Sequence, residues 1–473
     1  MTILQPRTTS PSVDPTLVTA SGGGARRARS GRTASVAAFW LLNAFVVYLW
    51  IAGQGLQDLG HGQVMMSVGR LSGLVASVLL LVQVFLMARV PVLERSWGQD
   101  RLTAVHRKIG FTSFWLMLAH IVTITIGYSG NTLGALWSTL SDLVLNYPGM
   151  LLAVAGTLSL FMVVATSIRA ARRRMRYQSW HLLHLYAYLG AGLALPHQLW
   201  TGQEFLRSTT STVFWWSVYA VALGSVLLWR LGVPVWRSAR HRIRVESVQT
   251  DPSGATTVTM HGRRIHDLRA RSGQFFQFRF LDGPGWSRAH PFSLSASPAS
   301  GRLRISVAPV GPGSGRLRHL QPGTRVLIEG PYGLLHEGVR TRRKVLLMAA
   351  GIGIAPLRAL LEDLQQEPDD VTVIHRVSSP DRAALRGEVE LLTQQHGARY
   401  HVVAGPREPR VPTWLPASDH PVDPSRALLD LVPDLARHDV YLCGSGPWMD
   451  LAQHALLRGG LPPQHLHRED FSA

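Results

Sequence analysis

The 473-residue sequence predicts a membrane-embedded all-α six-helix bundle, followed by a small antiparallel β-barrel and an α/β domain built on a parallel sheet. Three observations predict it. Six apolar runs in the first half each approach the roughly 20 residues a bilayer-spanning helix needs. After residue 240 the texture changes to short alternating segments punctuated by Gly and Pro, the pattern of a small antiparallel barrel. From residue 342 apolar strand-like runs alternate with helical patterns, which reads as a parallel sheet with crossover helices.

Composition narrows the function classes. With 48 Lys and Arg against 29 Asp and Glu, the net charge is +19, a balance that in a soluble protein raises the question of nucleic acid. The arginines here flank the apolar runs, so they are cytoplasmic edges of membrane helices, and no nucleic-acid partner is expected. Cys443 is the single cysteine. That excludes an intramolecular disulfide and a four-cysteine iron–sulfur cluster within the chain.

In chain order, residues 1–33 are rich in Ser, Thr, Pro, Gly and Arg and close on "SGGGARRARSGR", a composition that predicts a disordered cytoplasmic tail. The helical domain then occupies 34–235, with runs at about 35–53, 67–90, 105–127, 148–169, 179–199 and 211–232. The loops "RVPVLERSWGQDRLTAVHRK", "RAARRRMRY" and "WRSARHRIR" are arginine-rich, whereas "AGQGLQDLGHGQVMM" and "GYSGNTLGALWSTLSDLVLNY" contain no Lys or Arg. The positive-inside rule therefore predicts a six-span cell-membrane protein with both termini cytoplasmic.

Ionisable residues inside spanning helices are costly and usually functional. His106 and His120 lie on the third helix, 14 positions apart, which is about four turns and about 21 Å of rise. The fifth helix, running in the same direction, carries His181, His184 and His197. His184 is level with His106 near the inner face, and His197 with His120 toward the outer face. Two level pairs of imidazoles between parallel helices are what two stacked bis-histidine b-type haems require. The 13-residue spacing of His184 and His197 leaves their rings about 140° apart on an ideal helix, so a bend is expected at Pro196. His181 competes with His184 as the inner ligand. Arg70, just inside the outer end of the second helix, is placed to pair with a haem propionate or to stabilise superoxide as its charge develops; snorkelling to the outer headgroups is the alternative.

The barrel domain spans 240–338. Its "HPFSLSA" at 290–296 offers the Ser293 hydroxyl to an isoalloxazine nitrogen, Phe292 for ring packing and, just upstream, Arg288 for phosphate. "GPGSG" at 311–315 presents backbone N–H groups and Ser314 to a pyrophosphate. The α/β domain spans 342–473. In "MAAGIGIAPLRALL" Gly351 and Gly353 sit between a strand and a helix expected to begin at Pro356, an arrangement that lets backbone and helix N-terminus approach a phosphate. "YLCGSGPWM" is a second such turn, where Cys443 lies either beside a nicotinamide or simply in the core. Arg376, Ser378 and Arg382 follow the second strand, where a basic cluster favours the 2′-phosphate of NADPH over NADH.

Taken together these residues resemble the ferric reductase/NADPH oxidase superfamily, in which a six-helix haem-binding membrane domain is fused to a ferredoxin–NADP reductase-like module. The resemblance covers residues 35 to 473. It implies that His106, His120, His184 and His197 are haem ligands and that "HPFSLSA", including His290 and Pro291, is the flavin motif. It further implies that "GIGIAP" is the nicotinamide loop, that "CGSGP" with Cys443 and Gly444 is the later turn, and that Phe471 is the terminal aromatic covering the flavin. The phosphate-binding stretch departs from relatives in lacking their threonine. The implied activity is an electron conduit from cytosolic NADPH through FAD and two b-type haems to dioxygen, a ferric chelate or a partner redox protein outside. A transporter or channel with a nucleotide-sensing cytosolic module is the alternative of another class.

Overall fold

The computed structural model describes residues 15–175, 177–283, 285–408, 411–419 and 422–469. It divides into two compact units, Gly31–Gly232 and a second made of Val233–Ala473 with the first thirty residues.

The first unit is helical: α1 Pro15–Ala52, α2 Val64–Leu86, α3 Gln99–Tyr128, α4 Met150–Ser167, α5 Tyr177–Trp200 and α6 Thr209–Ser225. Helix α1 begins well inside the segment expected to be disordered. The correction has a local cause: Ala and Arg in "ARRAR" are strong helix formers, and propagating an existing helix is far easier than nucleating one. Five stretches among the described residues are long and apolar enough to cross a membrane, namely 29–52, 64–86, 101–128, 150–167 and 209–241. The sixth expected run, α5, is 24 residues long but falls outside that set, because three histidines and two glutamines dilute its apolar residues.

Large apolar side chains such as Trp40, Trp115, Leu158 and Leu223 point outward, as lipid-facing surfaces do. Small residues allow the helices to approach. A Cβ on Gly156 of α4 would lie 2.8 Å from the Gly190 carbonyl oxygen of α5, and one on Gly69 of α2 would lie 2.8 Å from Ile124 of α3. Helix α6 runs into a π-helical segment, Val226–Gly232, whose Arg230 donates to the Met87 carbonyl at 3.0 Å.

The second unit starts with α7, Val233–His241, and six antiparallel strands: β1 Arg244–Thr250, β2 Thr256–His261, β3 Phe275–Phe280, β4 His290–Ser293, β5 Arg302–Val307 and β6 Val326–Tyr332. They form two three-stranded sheets, β1-β2-β5 and β4-β3-β6, linked by single bridges Arg244↔Arg325 and Leu294↔Ile305. Their inward residues Val258, Phe276, Phe278, Leu303 and Ile305 are fully buried, as period-2 alternation requires.

A parallel sheet of order β11-β10-β7-β8-β9 follows, from β7 Lys344–Ala350, β8 Val371–Val377, β9 Arg399–Ala404, β10 His438–Cys443 and β11 Leu466–Arg468. Helices α8 Ile354–Asp363, α9 Arg386–His396, α10 Pro424–Leu431 and α11 Gly446–Arg458 accompany it. The core lies on both faces of the sheet, which is why its central strands read as continuous apolar runs. Chain order runs outward from β7 through β8 to β9, then returns to the other side of β7 with β10. That reversal is a topological switch point, where open α/β sheets hold ligands beyond the strand C-termini.

Candidate functional site

Within the helical unit, the His106 and His184 rings stand 6.0 Å apart between centroids, with planes at 62°. Two imidazoles on opposite sides of one metal need about 6 Å between centroids, because each metal–nitrogen bond is about 2 Å and each ring centre lies about 1 Å behind its nitrogen. The pair therefore fits a bis-imidazole axial site. His181 lies one turn earlier on α5, and the ring that meets His106 is that of His184.

The hydrogen bonds of all four rings share a pattern. Nδ1 of His106 faces the Gln83 carbonyl at 3.2 Å, that of His120 the Gly69 carbonyl at 2.8 Å and that of His197 the Ala194 carbonyl at 2.6 Å. Nδ1 of His184 faces the Ser167 hydroxyl at 3.3 Å. A carbonyl only accepts, so in the first three rings Nδ1 carries the proton and Nε2 keeps its lone pair for a metal. Among the described residues no group of three or more His, Cys, Asp and Glu is arranged to hold a metal ion. The ring contact between His106 and His184 offers two imidazoles.

Gly73 makes room for His120, since a Cβ there would lie 2.5 Å from Nδ1 of the ring. Pro196 sits inside α5, and Gly149 at the start of α4 presses on it, where a Cβ would lie 2.8 Å from the His197 amide nitrogen. Three residues escaped the sequence reading. Gln198 is buried, accepts from the Tyr219 hydroxyl at 2.6 Å and donates to Ser77 at 3.2 Å, tying α5 to α6 and α2. A polar residue directly after a histidine in an apolar run was the available signal.

Arg70 donates to Asp58 at 2.5 Å, to the Gly53 carbonyl at 2.6 Å and to Glu204. The guanidinium is thus held by two carboxylates, Asp58 and Glu204. Arg207, 3.9 Å from Glu204, extends the cluster.

In the barrel, Phe292 stacks on His290 with centroids 5.8 Å apart and planes at 9°. Burial, then the Arg316 and Arg288 guanidiniums, hold the His290 imidazole below its ordinary pKa. Pro291 and Arg288 are exposed, and Ser293 is half-buried. The Ser314 hydroxyl accepts from the Val310 and Gly311 amides at 3.0 and 3.1 Å. Ser314 thus orders the loop from within instead of presenting its hydroxyl outward.

At the switch point, Gly351 has φ +52°, a left-handed conformation that glycine adopts without strain. The following helix starts at Ile354, two residues before the expected Pro356. A Cβ on Gly353 would collide with the Cys443 carbonyl, and one on Gly444 would lie 3.0 Å from Cβ of Ala350. The two glycine turns, from adjacent strands β7 and β10, therefore touch and leave backbone open at one end of the sheet. Cys443 is buried, and burial, with the Glu469 carboxylate nearby, pushes its thiol pKa up. It stays a neutral thiol.

Arg376 is engaged with backbone in this structure. It is buried and donates to the Val377 and Pro406 carbonyls, and burial depresses its pKa. Ser378 and Arg382 are exposed, as is Arg407, which the sequence reading missed. It follows β9, whose Ala404 pairs with Val377, so it and Ser378 leave neighbouring strand ends. Phe471 lies outside the described residues.

Comparison with known proteins agrees with this division. Residues 72–195 match the family described as "Ferric reductase like transmembrane component", and 347–454 match "Oxidoreductase NAD-binding domain". A glycine betaine monooxygenase reductase subunit of Chromohalobacter salexigens is 25% identical over 50% of this chain and 66% of its own length. The 3-ketosteroid-9-alpha-monooxygenase ferredoxin reductase component of Mycolicibacterium smegmatis is 27% identical over 44% and 57%. Dual oxidase 2 of Homo sapiens is 26% identical over 46% and 14%. The chain spans less than two thirds of each of these relatives. Solved structures similar to it include a ferredoxin NADP+ reductase from Neisseria gonorrhoeae with bound FAD and NADP, 19% identical over 48% of this chain and 97% of that one at a TM-score of 0.39. Another is the flavohem-like FAD/NAD binding domain of nitric oxide dioxygenase from Vibrio cholerae O1 biovar El Tor, 22% identical over 49% and 99% at 0.37. The chain thus joins a ferric reductase-like transmembrane component to an oxidoreductase NAD-binding module, the pairing its motifs resemble.

Proposed function

We propose that the protein is a transmembrane flavocytochrome b oxidoreductase, passing electrons from cytosolic NADPH through FAD and two b-type haems to dioxygen or ferric iron outside. The observation that carries this reading is the set of four imidazoles on two helices, each with Nδ1 engaged, and in the three that face carbonyls with Nε2 left for a ligand. In it the chain spans the cell membrane six times with both termini cytoplasmic. Flavin is the group that converts a two-electron hydride donor into a source of single electrons, which haem iron takes one at a time. One NADPH then serves two one-electron acceptors and leaves one proton in the cytosol.

The residue roles follow. His106 with His184, and His120 with His197, hold the haems, oriented by Gln83, Ser167, Gly69 and Ala194. Arg288, His290, Pro291, Phe292 and Ser293 line the flavin and Ser314 orders its phosphate loop, with Phe471 the terminal aromatic that the resemblance assigns to covering it. Gly351, Gly353, Pro356, Cys443 and Gly444 shape the nicotinamide site, with Ser378, Arg382 and Arg407 meeting the 2′-phosphate. Among acceptors we favour dioxygen over an anionic ferric chelate or a partner redox protein. Arg70 and Arg207 are paired with Asp58 and Glu204, so little free positive charge remains on those segments to steer an anion, and a small neutral molecule needs none.

Pyridine haemochrome quantification on the purified chain should give two haems, with His120→Ala or His197→Ala giving one and NADPH still reducing the flavin. One haem in the unmutated chain would sink the assignment. Superoxide-dismutase-sensitive cytochrome c reduction, compared with anaerobic ferric-chelate reduction, decides the acceptor: rapid iron reduction with negligible superoxide would overturn the preference for dioxygen.

A further inference from the structure

His375 sits in a strand, Val371–Val377, that is buried along its whole length. Its Nε2 lies 2.9 Å from the Gly351 carbonyl oxygen, and its Nδ1 lies 3.1 Å from the Tyr400 hydroxyl. The carbonyl can only accept, so Nε2 carries the ring proton and Nδ1 accepts from Tyr400. Burial keeps both groups in those states: the imidazole pKa is held down to about 4, and burial, with Glu390 close by, pushes the Tyr400 phenol pKa up. A one-way relay of hydrogen bonds therefore runs from β9 through β8 to the first glycine turn.

Its end point matters. The Gly351 carbonyl and the Ile352 N–H belong to one planar trans peptide and point in opposite directions. Holding that carbonyl toward β8 aims the Ile352 N–H the other way, to the side where the two glycine turns leave backbone open. Within the turn that carbonyl also accepts from the Ile354 N–H, so the imidazole is a second partner that ties the same peptide to the neighbouring strand.

We propose that His375 and Tyr400 are positioning residues for the nicotinamide dinucleotide: the imidazole locks the Gly351–Ile352 peptide so that its N–H faces the pyrophosphate, and Tyr400 locks the imidazole. This rests on the NAD(P)H reading above and extends it to residues that contact no part of the coenzyme. Because the pyrophosphate is common to both coenzymes, NADPH and NADH are affected alike, unlike changes at the 2′-phosphate cluster.

The test uses the full-length, FAD-loaded chain in detergent, with ferricyanide as acceptor. His375→Ala raises KM for both coenzymes about tenfold, the scale of one buried hydrogen bond lost, with kcat and flavin content unchanged. His375→Gln restores most of the loss, since its amide donates to Gly351 and accepts from Tyr400, and Tyr400→Phe gives a smaller rise. Unchanged KM in His375→Ala overturns the proposal. So does a Gln variant no better than Ala, because a packing role alone gains nothing from a second hydrogen-bonding group. If His375→Ala fails to fold, Tyr400→Phe still decides: a wild-type KM there, or a kcat loss without a KM change, overturns it. An unmutated chain that NAD(P)H does not reduce at all overturns the parent reading instead, and is recognised before any variant is made.

Discussion

The two halves bury their residues in opposite ways. In the reductase half β7, β8 and β10 are sealed on both faces, with Val345, Leu347, Ile374 and Val440 wholly covered by protein. In the membrane half Trp40 is 66% and Leu158 64% exposed, because lipid completes what the chain leaves open. A core made by protein on all sides places its site on backbone, in turns at strand ends. A bundle finished by lipid has no such edges, since every backbone group must be satisfied within its own helix, and so it places its site on side chains projecting between helices.

That contrast is most sharply broken at a glycine. If the membrane site depends on side-chain rings seated against small residues, Gly73→Leu, whose Cβ alone would lie 2.5 Å from the His120 ring, removes the outer haem. Haem content falls from two per chain to one, while flavin content and NADPH-driven flavin reduction persist. Two haems in the variant would show that the ring is not seated there.

In the membrane half residue type, spacing and resemblance singled out His106, His120, His184 and His197, and the structure sets the ring of His184 against His106. The Arg70–Glu204 pair was hidden, because the two residues lie 134 positions apart and no local pattern announces such a pairing. The next expected effect follows from that cluster. With Glu204 side-chain exposure at 8%, Arg70→Ala strands a nearly buried carboxylate and costs about 3 kcal/mol or more. Thermal unfolding in detergent should move down clearly, and Arg70→Ala combined with Glu204→Gln should recover part of the loss. Equal unfolding temperatures for unmutated and Arg70→Ala protein would mean the cluster is solvated and structurally idle.

The reductase half was legible in its strands and glycine turns, because backbone sites leave a glycine pattern behind. What the sequence hid was where long side chains turn. Arg376 and Arg382 look equivalent in "HRVSSPDR", yet one is buried against the Val377 and Pro406 carbonyls and the other is exposed. β-strand alternation does not separate them, since β8 is buried on both faces and Arg382 lies beyond its end. The smallest expected effect tests that distinction directly. If Arg382 meets the 2′-phosphate as proposed, Arg382→Ala removes one charged hydrogen bond, worth about 1.5 to 3 kcal/mol. KM for NADPH should therefore rise about tenfold or more, while that for NADH stays within twofold. Arg376→Ala behaves differently: it unties two backbone carbonyls and weakens the β8 and β9 strand ends, so both coenzymes lose affinity together and the unfolding temperature falls. Steady-state kinetics with each coenzyme, read beside a melting curve, separate the two. If Arg376→Ala shifts NADPH alone with no change in unfolding, its guanidinium swings out to the phosphate when the coenzyme binds, and the backbone contacts belong only to the ligand-free chain.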